Sequence, residues 1–259
     1  MSTITNESAE FSLRGKTVLV AGGTRGIGQA ISIRFARAGS KVISNYLRNE
    51  QMALQLRATA ENEGLEICLC RADLTSDKGL QQIDQMLEAN HQNLDGLVYC
   101  AATGTHRSID EVTERHFDWT FNLNVKAFFK LIKLTKNRFT KGSSIVVVSS
   151  WGASRALPHY SLVGSSKGAL DALARHLAVE LAQNGIRVNI LTAGAVLTDA
   201  WKAIPNSEER IAESSRRTPL GRLVSPDEVA CCAQFLCSNA ASGIIGHTLV
   251  IDGGSGILA

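Results

Sequence analysis

The chain has 259 residues, 44% of them hydrophobic, which is enough apolar material for one large α/β domain or two small ones. Its 27 basic and 24 acidic side chains give a net charge of +3 and are interspersed, so no basic stripe marks a nucleic-acid partner. No apolar run reaches the length of about 18 residues that a membrane span needs, and residues 1–10 lack the pattern of a secretion signal. We therefore expect a soluble cytoplasmic protein with no nucleic-acid or membrane partner, whose six unpaired cysteines hold no metal.

Short β-branched runs alternate with helical patterns along the whole chain. The predicted strands are Thr17–Ala21, Lys41–Asn45, Glu66–Cys70, Gly96–Cys100, Ser144–Ser149, Arg187–Leu191 and His247–Ile251. The predicted helices are Gly26–Ala38, Glu50–Glu63, Lys78–Asn90, Glu114–Arg138, Tyr160–Gln183 and Pro226–Ser238. This alternation predicts one Rossmann-type domain over residues 13–259, a doubly wound parallel sheet with helices on both faces, after a flexible tail over residues 1–12.

A glycine-rich turn joins the first strand to the first helix. Gly22, Gly26 and Gly28 have the spacing GxxxGxG, and glycines there allow backbone N–H groups to approach a pyrophosphate at a helix N-terminus. The strand–turn–helix context predicts a dinucleotide site. We expect it to be formed by Gly22, Thr24, Arg25, Gly26, Ile27 and Gly28.

The end of the second strand indicates which dinucleotide binds. An acidic residue there would hydrogen-bond the ribose 2′-hydroxyl of NAD, but the chain reads Asn45, Tyr46, Leu47, Arg48. Arg48 and Arg25 together suit a 2′-phosphate, so we predict NADPH as the cofactor. Arg48 alone would be read as a solvated arginine.

Residues 198–224 break the alternation of strands and helices. The segment is polar, carries Pro205 and Pro219, and has a short helical pattern near Glu208–Ser214. A connection of this length is usually functional, so residues 199–224 are predicted to form a substrate lid at the carboxyl edge of the sheet. An ordinary exposed insertion is the alternative.

Tyr160 and Lys167 are the candidate catalytic pair. On a helix they would lie about two turns and 10 Å apart on one face, where the Lys167 ammonium could favour the ionised phenol and also bind a sugar hydroxyl. A loop tyrosine beside a surface lysine is the alternative when this spacing is taken alone.

With the glycine turn, this tyrosine–lysine helix and Val250–Gly254, the chain resembles the short-chain dehydrogenase/reductase superfamily over nearly its whole length. Most members carry Tyr-x3-Lys, but the residue four before Lys167 is Val163, and the Tyr-x6-Lys spacing is that of the enoyl-acyl-carrier-protein reductase branch. Residues 155–160, 188–194 and 118–127 are similar to segments of that branch. The superfamily's Asn-Asn-Ala-Gly is replaced here by residues 99–102, Tyr-Cys-Ala-Ala.

The resemblance implies roles for individual residues. Tyr160 would donate to the thioester oxygen, Lys167 would bind the ribose, and Ser150 stands where the superfamily has its catalytic serine. Asn124 matches an asparagine that supports a water relay, although a helix-packing role is equally open. Further cofactor contacts are expected at Asp73 near the adenine, Thr198 near the nicotinamide amide, Leu74 and Ala101.

The leading hypothesis is NADPH-dependent reduction of a trans-2-enoyl thioester carried on acyl carrier protein. Trp151, Leu197, Ile204 and Leu220 could line a channel for the acyl chain, or could be ordinary packing residues. A carbonyl reductase using Tyr160 in an unusual register is the second hypothesis, and a catalytically silent NADP(H)-binding sensor is the third. The resemblance also implies a homotetramer built on the helices that contain residues 114–138 and 160–183.

Overall fold

A computed structural model describes residues 10–89, 93–198 and 206–258. Its centre is a seven-stranded parallel sheet with the strand order β3-β2-β1-β4-β5-β6-β7. The strands are β1 Thr17–Ala21, β2 Lys41–Tyr46, β3 Ile67–Arg71, β4 Leu94–Tyr99, β5 Phe139–Ser150, β6 Arg187–Ala193 and β7 Thr248–Ile251. The predicted doubly wound sheet is confirmed.

Helices cover both faces of this sheet. They are α1 Gly26–Arg37, α2 Glu50–Glu63, α3 Asp77–Ala89, α4 Glu114–Phe121, α5 Ala127–Thr135, α6 Ser161–Ala182, α7 Ser207–Arg216 and α8 Pro226–Cys237. Alternate strand residues serve opposite faces: Leu19 packs in a core with helices α3, α5 and α6, whereas Val18 and Val20 pack with α1 and α8. Burying a leucine or valine stabilises a fold by about 2 kcal/mol, so a sheet this apolar requires both helical layers.

The segment predicted as one helix over residues 114–138 is helical but not one α-helix. A π-helical turn at Asn122–Lys126 separates α4 from α5, and a 3₁₀ turn follows at Lys136–Arg138. The π turn frees backbone carbonyls, and the buried Tyr99 hydroxyl donates to one of them, that of Leu123. A periodicity of 3.6 residues does not reveal such an insertion.

The sheet creates a crevice where its winding reverses. From β1 the chain proceeds to β2 on one side, and later enters β4 on the other side of β1. Ligands of such sheets bind beyond the carboxyl ends of the strands at this point. The segments that follow β1, β4 and β5 therefore form the candidate site.

The base of the predicted lid is held together. Val196 forms a parallel bridge with Val224, and the Leu197 N–H donates to the Val224 carbonyl oxygen at 2.9 Å. Ser225 then caps α8 in a reciprocal pair with Glu228. Helix α7 lies within the lid range as the sequence pattern indicated, whereas residues 199–205 lie outside the described part, so the lid stays a prediction.

In the three described ranges, no helix is long and apolar enough to cross a bilayer.

Candidate active site

The glycine turn after β1 brings backbone against backbone. Gly22 has φ +74°, and a Cβ there would lie 3.0 Å from the backbone of Ala101, which follows β4. A Cβ on Gly28 would lie 2.1 Å from the Gly22 carbonyl oxygen. Both positions therefore exclude any side chain, and the turn presents backbone groups to the crevice.

The N-terminus of α1 opens onto this crevice. Its N-cap residue, Arg25, forms no side-chain cap, and the first turn contains no acidic residue. The uncapped N–H groups and the helix dipole suit a pyrophosphate. Thr24 is buried in the turn, Ile27 packs partly against the core, and Thr198 lies over Gly26, with its Cγ2 at 3.5 Å from a Cβ built there.

The two arginines predicted to bind a 2′-phosphate lie at one edge of the sheet. Asn45 at the end of β2 accepts a hydrogen bond from the Gly23 N–H at 2.9 Å through its backbone oxygen, which joins the glycine turn to this strand. Arg25 follows Gly23 by two residues and Arg48 follows Asn45 by three, and both arginines are exposed. Within the described residues, neither guanidinium pairs with a carboxylate.

The residues after β3 interact with their own loop and with the core. Asp73 accepts hydrogen bonds through Oδ1 from the Thr75 N–H at 2.9 Å and the Thr75 hydroxyl at 2.7 Å. Leu74 is buried in the core beneath α3. Both lie at the expected edge of the sheet, but the Leu74 side chain faces the core, so only its backbone is available to a ligand.

Tyr160 enters the site from the turn before α6 rather than from the helix itself. The helix begins at Ser161, and the preceding His159 has φ +58°. The phenol oxygen lies 3.3 Å from Ser150 Oγ at the end of β5. Burial raises the pKa of Tyr160, while the hydrogen bond with Ser150 acts against that increase.

Two glycines make room for the phenol and for Val163. A Cβ on Gly152 would lie 2.4 Å from Tyr160 Cε1, and a Cβ on Gly104 would lie 2.2 Å from Val163 Cγ2. Val163, at the position of the usual tyrosine, is buried against Gly104. Compared with the usual Tyr-x3-Lys motif, the tyrosine therefore lies just before the start of α6, and Val163 fills the position that it usually occupies.

His106 was missed by sequence reasoning. Its ring meets the Tyr160 ring edge-on, with centroids 5.1 Å apart. Burial is the main cause that lowers the pKa of His106, and the positive charge of Arg210 in α7 lowers it further. Nothing in the loop sequence around His106 indicates this contact, because it depends on where α6 begins.

Lys167 is buried against the same strand as the phenol, at a position two residues before Ser150. Its side chain is 6% exposed, and its ammonium donates to the Val148 carbonyl oxygen at 2.8 Å. Burial lowers the pKa of Lys167 to about 8, and Cys100 and Asp171 act in the opposite direction. An ammonium has three donors, and the structure describes a partner for one of them.

Asn124 is held by neighbours on two sides. Its side-chain nitrogen donates to the Thr103 carbonyl oxygen and to Ser166 Oγ, both at 2.9 Å, and its side-chain oxygen accepts from the Thr103 N–H at 2.8 Å. The carboxamide therefore fixes the loop after β4 to α6. Its backbone, within the π turn, is the part that could serve a water relay.

The apolar residues proposed to line an acyl channel are not brought together. Trp151 lines a cavity between α6 and the C-terminal segment, whereas Leu197 lines another beside α1. Leu220 is half exposed and lines neither, and Ile204 lies outside the described residues.

Hydride transfer is the chemistry that needs a dinucleotide cradle together with a phenol and a buried lysine, which here both contact the end of β5. The fold and site therefore define a nicotinamide-dependent oxidoreductase. Residues 21–256 match the family model described as Enoyl-(Acyl carrier protein) reductase, and the chain belongs to this family of the short-chain dehydrogenase/reductase superfamily.

Relatives of known name are similar over nearly the whole chain. The 1-cyclohexenylcarbonyl-CoA reductase of Streptomyces collinus is 30% identical over 95% of this chain and 89% of that protein. The 7alpha-hydroxysteroid dehydrogenase of Escherichia coli K12 is 33% identical over 95% of this chain and 96% of that protein. A short chain dehydrogenase from Burkholderia cenocepacia, crystallised with NADP, is 31% identical with a TM-score of 0.87, covering 94% and 99% of the two chains.

The packing of Tyr160 on Gly152 predicts the effect of one added methyl group. Gly152→Ala should displace the phenol and lower turnover on the order of a hundredfold while leaving the affinity for the dinucleotide unchanged. Gly243→Ala, where a Cβ meets nothing within 4 Å, is the matched control. Turnover and cofactor fluorescence titration measure the two effects, and a Gly152→Ala enzyme as fast as the control would contradict the placement of Tyr160.

Proposed function

We propose that the protein reduces the 2,3 double bond of a trans-2-enoyl thioester with NADPH. The observation that supports this most is the position of the Tyr160 hydroxyl, 3.3 Å from Ser150 Oγ but displaced from the usual helical position, which Val163 fills. A donor moved in this way suits a reaction in which the oxygen that gains charge is remote from the carbon attacked. The matched enoyl reductase model and the cyclohexenylcarbonyl-CoA reductase relative support the same assignment.

Bound NADPH would supply a hydride to the β-carbon, and the remaining tasks belong to the protein. Tyr160 donates a hydrogen bond and then its proton to the thioester oxygen as that oxygen becomes negative. The resulting enol takes up a solvent proton at the α-carbon and returns the proton on its oxygen to the phenolate, which gives the saturated thioester. The Lys167 ammonium stabilises the ionised phenol and holds the ribose, which fixes the nicotinamide relative to the substrate. Ser150 orients the phenol through the hydrogen bond between the two hydroxyls.

Reduction of a carbonyl group is the second candidate function. Ser150 stands beside Tyr160 as the catalytic serine of the wider superfamily stands beside its tyrosine, and one relative is a hydroxysteroid dehydrogenase. In that reaction both hydroxyls would contact the carbonyl oxygen directly, so no displacement of the tyrosine would be needed.

NADPH is proposed over NADH because of the charges at the end of β2. Arg25 and Arg48 are exposed beside the glycine turn, and residues 45–48 at the end of β2 contain no acid that could accept a bond from a free 2′-hydroxyl. A structural neighbour was crystallised with NADP.

Removing these arginines should weaken the binding of NADPH and leave the binding of NADH unchanged. Arg48→Ala and Arg25→Ala should each raise the Kd for NADPH by about tenfold, the scale of one lost charged hydrogen bond. Arg57→Ala, on α2, is the matched control for loss of a surface charge. Isothermal titration with both dinucleotides measures the effect, and an unchanged NADPH preference in the double variant would place the 2′-phosphate elsewhere.

The substrate carrier and the assembly are also proposals. We propose acyl carrier protein as the carrier, coenzyme A being the other option, and a cytoplasmic location. Exposed apolar residues on the helices α4 to α6 support a homotetramer; they are Phe117, Trp119, Phe129 and Val179. Sedimentation velocity should give a tetramer at micromolar concentration, and a monomer would contradict this assembly.

The reaction is tested by following NADPH oxidation with trans-2-octenoyl, crotonyl and acetoacetyl thioesters. Enoyl turnover without acetoacetyl turnover is the predicted result. Tyr160→Phe should reduce it by about a hundredfold or more, because the charged oxygen loses its donor, while NADPH affinity is kept. Tyr46→Phe, outside the proposed catalytic cluster, is the control for loss of a tyrosine hydroxyl.

Each other outcome identifies a different function. Turnover of the acetoacetyl thioester alone would assign a carbonyl reductase. NADPH binding without turnover of any substrate, and with no effect of Tyr160→Phe, would contradict both reductase functions and favour a sensor.

A further inference from the structure

A buried carboxylate lies one helical turn from the catalytic lysine and has no role in the reaction described above. Asp171 follows Lys167 by four residues on α6, so the two side chains lie on the same face of the helix. Both are buried, with 6% of Lys167 and 7% of Asp171 exposed. Among the described residues, neither Asp171 Oδ1 nor the neighbouring Ser149 hydroxyl forms a hydrogen bond of normal geometry, although Ser149 is close enough to act on the carboxylate.

We propose that Asp171 is a positioning residue that keeps the Lys167 ammonium charged and thereby supports proton donation by Tyr160. This inference rests on the proposed reductase function and adds a residue to it. Among the described residues, the groups that act on Asp171 are Ser149, Lys167 and Arg175, so its route to the reaction is through the charge on Lys167.

Two acidic groups act on Lys167 among those that the structure describes, and they differ in charge. Burial raises the pKa of the Cys100 thiol to about 12, so Cys100 is neutral at the pH where Lys167 loses its proton. Val148 contributes a neutral carbonyl oxygen, and Tyr160 is protonated before the reaction. Asp171 is therefore the group that can offer Lys167 a negative charge.

The surroundings of Asp171 allow it to ionise. Burial raises its pKa, while the Ser149 hydroxyl, Lys167 and Arg175 act against that increase. The carboxylate borders a cavity of about 590 Å³, which provides room for solvent. Thr192 of β6 adds an uncharged hydroxyl to the same wall.

Two of the other charged groups that line this cavity are engaged elsewhere. Asp252 accepts hydrogen bonds from the Gly254 N–H at 2.8 Å and the Gly256 N–H at 2.9 Å. Arg155 donates to the Gly256 carbonyl oxygen and lies over the Trp151 ring. Arg175, one turn further along α6, also acts on Asp171 but forms no ion pair with it within the described residues, so the charge of Asp171 acts along α6 on Lys167 as well.

The sign of the effect follows from the charges. Lys167 is cationic below its pKa of about 8 and neutral above it. Removing the negative charge of Asp171 lowers this pKa further, so the ammonium is lost at a lower pH. The alkaline limit of NADPH binding and of reduction should move in the same direction.

The experiment measures Lys167 itself, in the full chain without cofactor or substrate. NMR titration of lysine labelled at the side-chain carbon and nitrogen gives the pKa, with Lys167→Arg used to assign the signal. Asp171→Asn should lower the pKa of Lys167 by about one unit, the scale of a charge one helical turn away in a partly polarisable interior. Asp171→Glu should restore the parent value, and Glu180→Gln, an exposed carboxylate of the same helix, should leave it unchanged.

Three outcomes would overturn the proposal: an unchanged pKa in Asp171→Asn, an equal shift in Glu180→Gln, or a carboxyl of Asp171 that does not respond when Lys167 titrates in the parent. The last measurement needs only the unaltered protein, so it applies even if Asp171→Asn does not fold. The Kd for NADPH from pH 6 to 10 provides a second readout, in which Asp171→Asn should lose affinity about one pH unit earlier. Because the NMR titration uses no substrate, its failure is distinguishable from failure of the proposed reaction.

Discussion

A cation buried at the end of a parallel sheet is the constraint on which the site depends. Lys167 donates to the Val148 carbonyl oxygen and is almost inaccessible to solvent, so its charge is destabilised unless neighbouring groups compensate. A lysine with a pKa near 8 changes its charge close to physiological pH, and pKa values shifted in this way are typical of functional sites. The same burial places the ammonium beneath the crevice, where a ribose of the cofactor would lie.

The backbone around this cation is arranged so that the tyrosine can approach from an unusual direction. His159 adopts a left-handed conformation, Gly152 leaves space for the ring, and Val163 occupies the place that the ring has vacated. Two hydrogen bonds stabilise the π turn at Asn122–Lys126. The Tyr99 hydroxyl donates to the Leu123 carbonyl oxygen, and the Thr103 N–H donates to Asn124 Oδ1. Residues that depart from the superfamily's motif are therefore packed and hydrogen-bonded rather than left as gaps.

Much of the fold could be predicted because strands and helices differ in period and alternate regularly. The parallel arrangement of the strands was predicted from their alternation with helices. The strand positions were predicted from apolar runs such as Thr17–Ala21, whose bounds the structure reproduces. The glycine turn was predictable because only glycine tolerates contacts like that of Gly22 with Ala101. The π turn, the early start of β5 at Phe139 and the contact of His106 with Tyr160 could not be predicted, because each arises from tertiary packing that leaves no local pattern. Trp151 and Leu197 line two different cavities, which favours ordinary packing over a shared acyl channel, because proximity to a loop in sequence does not determine which side of it a side chain faces.

The position of hydride addition distinguishes the proposed reaction from every carbonyl reduction on this fold. NADPH deuterated at the reactive carbon of its nicotinamide ring should be incubated with the enzyme and crotonyl thioester, and the product examined by NMR. The displaced tyrosine predicts deuterium at the β-carbon and a solvent proton at the α-carbon of a saturated thioester. An unreacted crotonyl thioester, with deuterium at the former ketone carbon of a 3-hydroxyacyl product when acetoacetyl thioester is supplied instead, would contradict it.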